Sequence, residues 1–104
     1  MADKISDEAL VVRGGQNRPE DIVRATGTHP SGITGVSVEC ATEVSIEKLA
    51  TFIPHRHIGI TTVRKVRELG GDVVRTSGRS PYHATLTGLT SHEISQLLTP
   101  PETN

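Results

Sequence analysis

The sequence predicts a small α+β domain, with a mixed or antiparallel sheet of about five strands and three to four short helices. Short apolar runs that alternate with polar residues, as in residues 36–40, are typical of half-buried strands. Other segments carry apolar residues at helical spacing, such as Val63, Val66 and Leu69. Glycine and proline clusters separate these segments, and a length of 104 residues favours one domain.

The predicted strands are short and bounded by turn residues. In residues 36–40 the alternation places Ser37 and Glu39 on one face and the apolar residues on the other, which would face the core. The predicted strands are residues 9–13, 36–40, 58–60, 72–75 and 82–86.

The first two predicted helices are marked by caps and prolines. Pro19 opens a helix that ends near Thr26, because proline suits the first helical turn. Thr42 caps a helix over residues 43–53, and Pro54 stops it. The apolar residues expected to face inward from this second helix are Val44, Leu49, Phe52 and Ile53.

The last two predicted helices have threonine caps. Thr61 or Thr62 caps the third helix, and a glycine pair ends it. Thr90 caps the fourth helix, residues 91–98, where Glu93 completes a capping box.

These elements define one α+β domain over residues 9–98. Residues 1–8 are polar and residues 99–104 begin at a proline pair, so we expect both ends to be frayed. The first residues lack the apolar core of a signal peptide, and no apolar run approaches membrane-spanning length. We therefore expect a cytoplasmic protein, or one delivered into the cytoplasm of a target cell, with no membrane partner.

Composition limits both the core and the partners. Phe52 and Tyr82 are the only phenylalanine and tyrosine, and tryptophan is absent, so aliphatic side chains must fill the core. Cys40 is the only cysteine, which excludes an intramolecular disulfide and fits a reducing compartment. A formal net charge of −1 argues against binding of duplex DNA by bulk electrostatics and leaves a local RNA groove open.

Arg13 ends the first apolar run and is followed at once by Gly14 and Gly15. A guanidinium offers N–H donors in a fixed fork, and glycine lets the backbone approach a ligand without a Cβ in the way. This pattern predicts a phosphate or pyrophosphate site. The alternative is a solvated arginine before an ordinary turn.

Polar side chains on later strands offer acid–base and ribose-binding chemistry. Ser37 and Glu39 share a strand face, where a hydroxyl can orient a carboxylate or contact a sugar, or where both are simply solvated. His83 and Thr85 share a face of another strand and can move protons at a phosphodiester, or form an ordinary polar face. Tyr82 can stack on a base or a nicotinamide ring, or pack in the core.

Three other histidines are candidates for a second acid or base. His29 lies in a breaker-rich loop, residues 26–35, of a kind that often carries function, although a plain surface turn is the alternative. His55 and His57 have a His-x-His spacing, but no cysteine or nearby carboxylate completes a zinc site. A basic loop at a helix end is favoured instead, and no metal is expected.

The order of these features, over about residues 9–98, resembles a minimal ADP-ribosyltransferase fold of the bacterial toxin type. In that family an arginine on the first strand contacts the dinucleotide and a serine on a following strand buttresses the site. Arg13 and Ser37 match by order and context. Residues 58–90 also resemble small toxin domains at the ends of bacterial polymorphic toxins, some of which modify elongation factor Tu.

The resemblance implies a toxin domain that uses NAD as a substrate. Arg13 would hold the pyrophosphate or the nicotinamide ribose, and Ser37 would orient that ribose. His83 or Glu39 would polarise the ribose hydroxyls and stabilise the cation-like transition state. The remaining residues assigned to the site are Gly14, Gly15, His29 and Tyr82 for NAD binding and Thr85 for catalysis.

One departure from the family concerns the catalytic carboxylate. The family places a Glu-x-Glu or Gln-x-Glu on a late strand, where this chain has Tyr82, His83 and Thr85. By analogy the acceptor is a protein or an RNA, with a translation factor favoured, and a cognate immunity or antitoxin protein is an expected partner.

Two other classes of function remain open. A metal-free ribonuclease toxin would use His83 as acid or base, a second histidine as its partner, and Arg13 or Arg79 on the phosphate. A non-enzymatic binding module of the antitoxin or immunity type would work without Arg13.

Overall fold

The computed structural model describes residues 4–104 and confirms an α+β domain built on an antiparallel sheet. The first three residues of the predicted frayed N-terminus lie outside the described residues. The strands are β1 (Leu10–Gly14), β2 (Gly27–Thr28), β3 (Thr34–Ala41), β4 (His57–Thr62), β5 (Asp72–Arg75), β6 (His83–Thr87) and β7 (Glu102–Thr103). The helices are α1 (Pro19–Ala25), α2 (Ile46–Leu49), α3 (Val63–Glu68) and α4 (Ser91–Leu98), with a 3-10 turn over Ala50–Phe52.

The strands form one sheet in the order β5-β6-β3-β1-β4-β7, and β2 pairs with β3 at the side of this path. Every strand pairing among residues 4–104 is antiparallel. The five predicted strands are confirmed, whereas β2 and β7 were not predicted. Residues 99–104, expected to be frayed, contribute β7, which pairs with β4.

One face of the sheet is covered by α1, α3 and α4. Each of these helices buries apolar side chains against alternate residues of the central strands, because successive strand residues point to opposite faces. The core residues here include Val11, Ile22, Val36, Val38, Cys40, Val63, Val66, Ala84, Leu86, Ile94 and Leu98. Burial raises the pKa of the Cys40 thiol to about 11, which makes it an inert packing residue.

The opposite face is covered only in part. The segment of α2 and the 3-10 turn packs on β1 and β4 through Val12, Leu49, Ala50 and Ile58. Beyond this cover, the same face carries polar residues on β3 and β6, where Ser37 pairs with Thr85 and Glu39 pairs with His83. The candidate functional site lies at this boundary.

The second predicted helix is shorter than expected. Glu43 has a left-handed backbone (φ 56°), so no helix begins at Thr42, and Ser45 caps α2 by accepting a hydrogen bond from the Lys48 N–H. The 3-10 turn ends at Phe52, and Ile53 is extended. Phe52 is therefore not inward, as predicted, but 51 % exposed.

The other helix signals are largely confirmed. Thr62 caps α3, and Thr90 with Glu93 forms the capping box of α4. Leu69, expected on the inward stripe of α3, follows the helix and is exposed. None of the helices within the described part of the chain has the length and apolar content needed to cross a bilayer.

Candidate functional site

A cavity of about 150 Å³ opens on the partly covered sheet face, and we call it the central pocket. It brings together residues from β1, β3, β6 and the segment that follows the 3-10 turn. The polar and glycine residues of its lining are Arg13, Gly14, Ser37, Glu39, His55 and His83. The central pocket contains five of the nine predicted site residues, which lie up to 70 residues apart in sequence: Arg13, Gly14, Ser37, Glu39 and His83.

Sheet register explains how the polar residues meet. Glu39 on β3 lies opposite His83 on β6, and Val12 on β1 lies opposite Glu39 on the other side. Directly opposed residues in an antiparallel pair have Cβ atoms about 5 Å apart. Glu39 and His83 are therefore near enough for one substrate group to contact both.

Arg13 reaches the pocket from the end of β1. Its Nη1 donates a 2.9 Å hydrogen bond to the Ser37 carbonyl oxygen, which fixes the guanidinium beside β3. Its Nε is buried, and no group among residues 4–104 accepts its proton. Burial lowers the pKa of Arg13, an effect opposed by the Asp21 carboxylate, and the guanidinium stays charged. A buried donor without a partner is costly, so this arginine is suited to an anionic ligand.

Glu39 complements Arg13, because it offers a buried hydrogen-bond acceptor where Arg13 offers a buried donor. Its Oε2 is buried and has no hydrogen-bond partner in the described part of the chain. An ionised carboxylate only accepts hydrogen bonds, so this oxygen can receive a hydroxyl proton. Glu39 therefore offers a base in the pocket that Arg13 also lines.

The His83 ring is oriented through one of its nitrogens. Nδ1 lies 3.0 Å from Thr76 Oγ1 and 3.2 Å from the Thr76 carbonyl oxygen, and Thr76 Oγ1 lies 2.9 Å from Thr85 Oγ1. Gly78 packs on the ring, and a Cβ at that position would collide with it. Nε2 has no partner among residues 4–104, which leaves it free to exchange a proton with a ligand.

His29 lies beside His83, with ring centroids 5.9 Å apart, but both of its nitrogens are engaged. Nδ1 accepts a 3.0 Å hydrogen bond from the Ser31 N–H, and Nε2 lies 2.9 Å from the Ser77 carbonyl oxygen. This pattern fits a neutral ring with its proton on Nε2. His29 therefore joins the β2–β3 loop to the segment after β5 and is poorly placed to serve as a free acid or base.

The remaining predicted residues lie around the pocket. Gly14 is in contact with Ile53 and His55, so the chain's own segment, not a ligand, uses the space that its missing Cβ leaves. Gly15 has a left-handed φ of 94° and lines a neighbouring cavity. Thr85 is buried and supports Thr76, and Tyr82 packs against the α2 cluster outside the lining.

Two further cavities adjoin the central pocket. One, of about 290 Å³, shares Arg13, Gly14 and His55 with it and extends toward α1. The other, of about 180 Å³, shares Ser37 and extends beneath His29. Each of these cavities is thus connected to the central pocket by the lining residues that it shares with it.

Sequence reasoning missed two residues of this site. Thr76 was placed in a turn, and nothing in its sequence surroundings indicates a bond to His83. Phe52 lines the central pocket, although the helical spacing placed it in the core. No group of three or more His, Cys, Asp or Glu side chains in residues 4–104 is placed to hold a metal ion.

Comparison with known proteins gives no relative. No protein-family model, no curated protein and no solved structure matches the chain. The candidate site must therefore be interpreted from its own chemistry.

Proposed function

We propose that the protein cleaves RNA phosphodiester bonds by acid–base catalysis with no requirement for a metal ion. One observation supports this most strongly. Arg13 Nε and Glu39 Oε2 are both buried without a partner in the described chain, and His83, with a free Nε2, completes the same pocket. A cation, a base and an acid are the groups that phosphodiester transesterification needs.

The reaction needs no co-reactant. Glu39 accepts the proton of a ribose 2′-hydroxyl, whose oxygen attacks the adjacent phosphorus. The bond from phosphorus to the 5′-oxygen breaks, and protonated His83 donates a proton to that oxygen. The products are a 2′,3′-cyclic phosphate and a 5′-hydroxyl, and Arg13 stabilises the charge on the non-bridging oxygens.

The two cavities that adjoin the central pocket support a polymeric substrate. The cavities that adjoin it share Arg13 on one side and Ser37 on the other. A chain can therefore extend past the scissile phosphate in both directions. In this proposal the target is RNA in a bacterial cytoplasm, and the inhibitor is an immunity protein that blocks the pocket.

The test is cleavage of a labelled oligoribonucleotide in the presence of EDTA. We expect cleavage of RNA and none of the 2′-O-methyl oligonucleotide, which lacks the attacking hydroxyl. His83→Ala should lower the rate by roughly 10²- to 10⁴-fold, the usual contribution of a general acid or base. His92→Ala, an exposed histidine on α4, is the matched control and should cleave like the wild type.

A second candidate is ADP-ribosyl transfer from NAD. One observation favours it: Arg13, Gly14, Ser37 and Glu39, which the family resemblance assigns to NAD, all line the central pocket. Incubation with tagged NAD and bacterial lysate would then label an acceptor, and Arg13→Ala would abolish the label. Labelling without RNA cleavage would replace the first proposal by this one.

A further inference from the structure

Phe52 is the only phenylalanine of the chain, and it is half exposed at the rim of the central pocket. A large aromatic side chain in a small domain with few aromatics would normally be buried in its core. Here the neighbouring Leu49 and Ala50 are buried instead, and Phe52 is left at the surface.

The backbone holds Phe52 in this position. The Ile53 N–H donates a 2.9 Å hydrogen bond to the Ala50 carbonyl oxygen, which closes the 3-10 turn around Phe52. At the other end of the chain, Asn104 Nδ2 donates to the carbonyl oxygens of Ile53 (3.2 Å) and His55 (2.9 Å). The segment that carries the ring is therefore fixed on both sides.

The pocket beside the ring has the chemistry of a nucleotide site. Arg13, whose buried Nε has no partner among residues 4–104, lines the same cavity as Phe52. A nucleotide pairs an anionic phosphate with a planar base at short range, and exposed aromatic rings are the usual surface on which unpaired bases stack.

We propose that Phe52 is the platform on which an unpaired RNA base stacks next to the phosphate bound by Arg13. This inference rests on the proposed RNA cleavage and names its substrate class as single-stranded RNA. A duplex hides the faces of its bases in the stack, so a base must be unpaired to reach the ring. Stacking is available to every base, so Phe52 selects for single strands and not for a sequence.

Phe52→Trp gives a direct measurement of this contact. The chain has no tryptophan, so the substituted residue is the only indole reporter. Titration with a 2′-O-methyl oligonucleotide, which binds without being cleaved, should quench its fluorescence in a saturable way. Val23→Trp, at an exposed position of α1 outside the pocket, is the matched control and should not be quenched.

Affinity for the same oligonucleotide gives the second measurement. Phe52→Ala and Phe52→Leu should each weaken binding by roughly 10-fold or more, whereas Phe52→Tyr should retain it, because stacking needs a ring. An oligonucleotide with one abasic ribose at the stacking position should bind wild type with reduced affinity. This affinity should equal that of the intact oligonucleotide for Phe52→Ala. Leu69→Ala, an exposed apolar residue outside the pocket, should bind normally.

The outcomes separate this inference from the proposed function. RNA cleavage by wild type together with unchanged affinity for Phe52→Ala would overturn the stacking platform and leave the ribonuclease in place. Quenching by NAD and not by the oligonucleotide would overturn both. Two results together would support the platform. The oligonucleotide should quench the fluorescence in a saturable way, and the loss of affinity caused by Phe52→Ala should equal the loss caused by the abasic ribose.

Discussion

The two faces of strand β3 have opposite properties. Val36, Val38 and Cys40 are buried beneath the helices, where other side chains of the protein complete their packing. Ser37 and Glu39 alternate with them on the other face, where Glu39 Oε2 is buried without a partner in residues 4–104. An unpaired buried polar atom costs about 1–3 kcal/mol, so this oxygen lowers the stability of the fold. One face of this strand thus serves the fold, and the other carries residues of the proposed site.

Among the variants that distinguish the two faces of β3, Glu39→Gln is expected to have the largest effect. The amide keeps the size of the carboxylate but cannot act as a base, so RNA cleavage should fall by roughly 10²- to 10⁴-fold. Thermal unfolding should be unchanged or shifted to higher temperature, because the substitution removes a charge whose buried oxygen has no partner in the described part of the chain. A large fall in thermal stability would assign Glu39 to the fold instead.

The converse result is expected for Leu86→Ala on the covered face. Leu86 is fully buried, so the truncation leaves a cavity and should lower the free energy of unfolding by about 2–5 kcal/mol. Chemical denaturation measures this loss. Cleavage per folded molecule should stay near the wild-type value, and a selective loss of activity would show that the two faces are not independent.

Gly78→Ala tests how tightly the chain holds the His83 ring. The added methyl group collides with the ring, so the imidazole must move, and cleavage should fall by roughly 10- to 100-fold. Gly71→Ala is the matched control, since its methyl group collides with Leu89 and Thr87 away from the pocket. It should cost about 1–3 kcal/mol of stability and leave cleavage per folded molecule intact. Equal activities of the two variants would contradict a positioned His83.

The smallest expected effect concerns the ion pairs of α1, next to Arg13. Arg18 and Arg24 bond the Asp21 carboxylate, and Arg18 holds the pKa of Asp21 well below its usual range. A depressed folded-state pKa gives stability that is present above the unfolded pKa, near 3.8, and is lost as the pH falls through the folded value. Asp21→Asn should therefore be less stable than wild type near neutral pH. The difference should shrink below about pH 4, and denaturant titrations at both pH values would detect it.

Local sequence patterns predicted the elements better than the site. Alternation in residues 36–40 correctly assigned Val36 to the core and Glu39 to the opposite face, because strand periodicity is a local property. The pairing of Glu39 with His83 depends on β3 lying next to β6, and no local pattern encodes that choice.

Phe52 shows the limit of helical spacing. Its predicted inward position assumed that residues 43–53 form one helix. The left-handed backbone of Glu43 delays the start of the helix, and the 3-10 turn ends at Phe52. The Phe52 ring therefore does not lie on the buried side, where helical spacing would have placed it. Thr76 could not have been found at all, since its bond to His83 exists only once β5 and β6 are paired.

The central claim is that Arg13, Glu39 and His83 act together on one phosphodiester, and the ends of the cleaved RNA test it most directly. Mass spectrometry of an oligoribonucleotide incubated with the protein in EDTA should find a 2′,3′-cyclic phosphate on one fragment and a 5′-hydroxyl on the other. Both products should disappear with His83→Ala. Intact RNA, or fragments that carry a 5′-phosphate and a 3′-hydroxyl, would contradict the account.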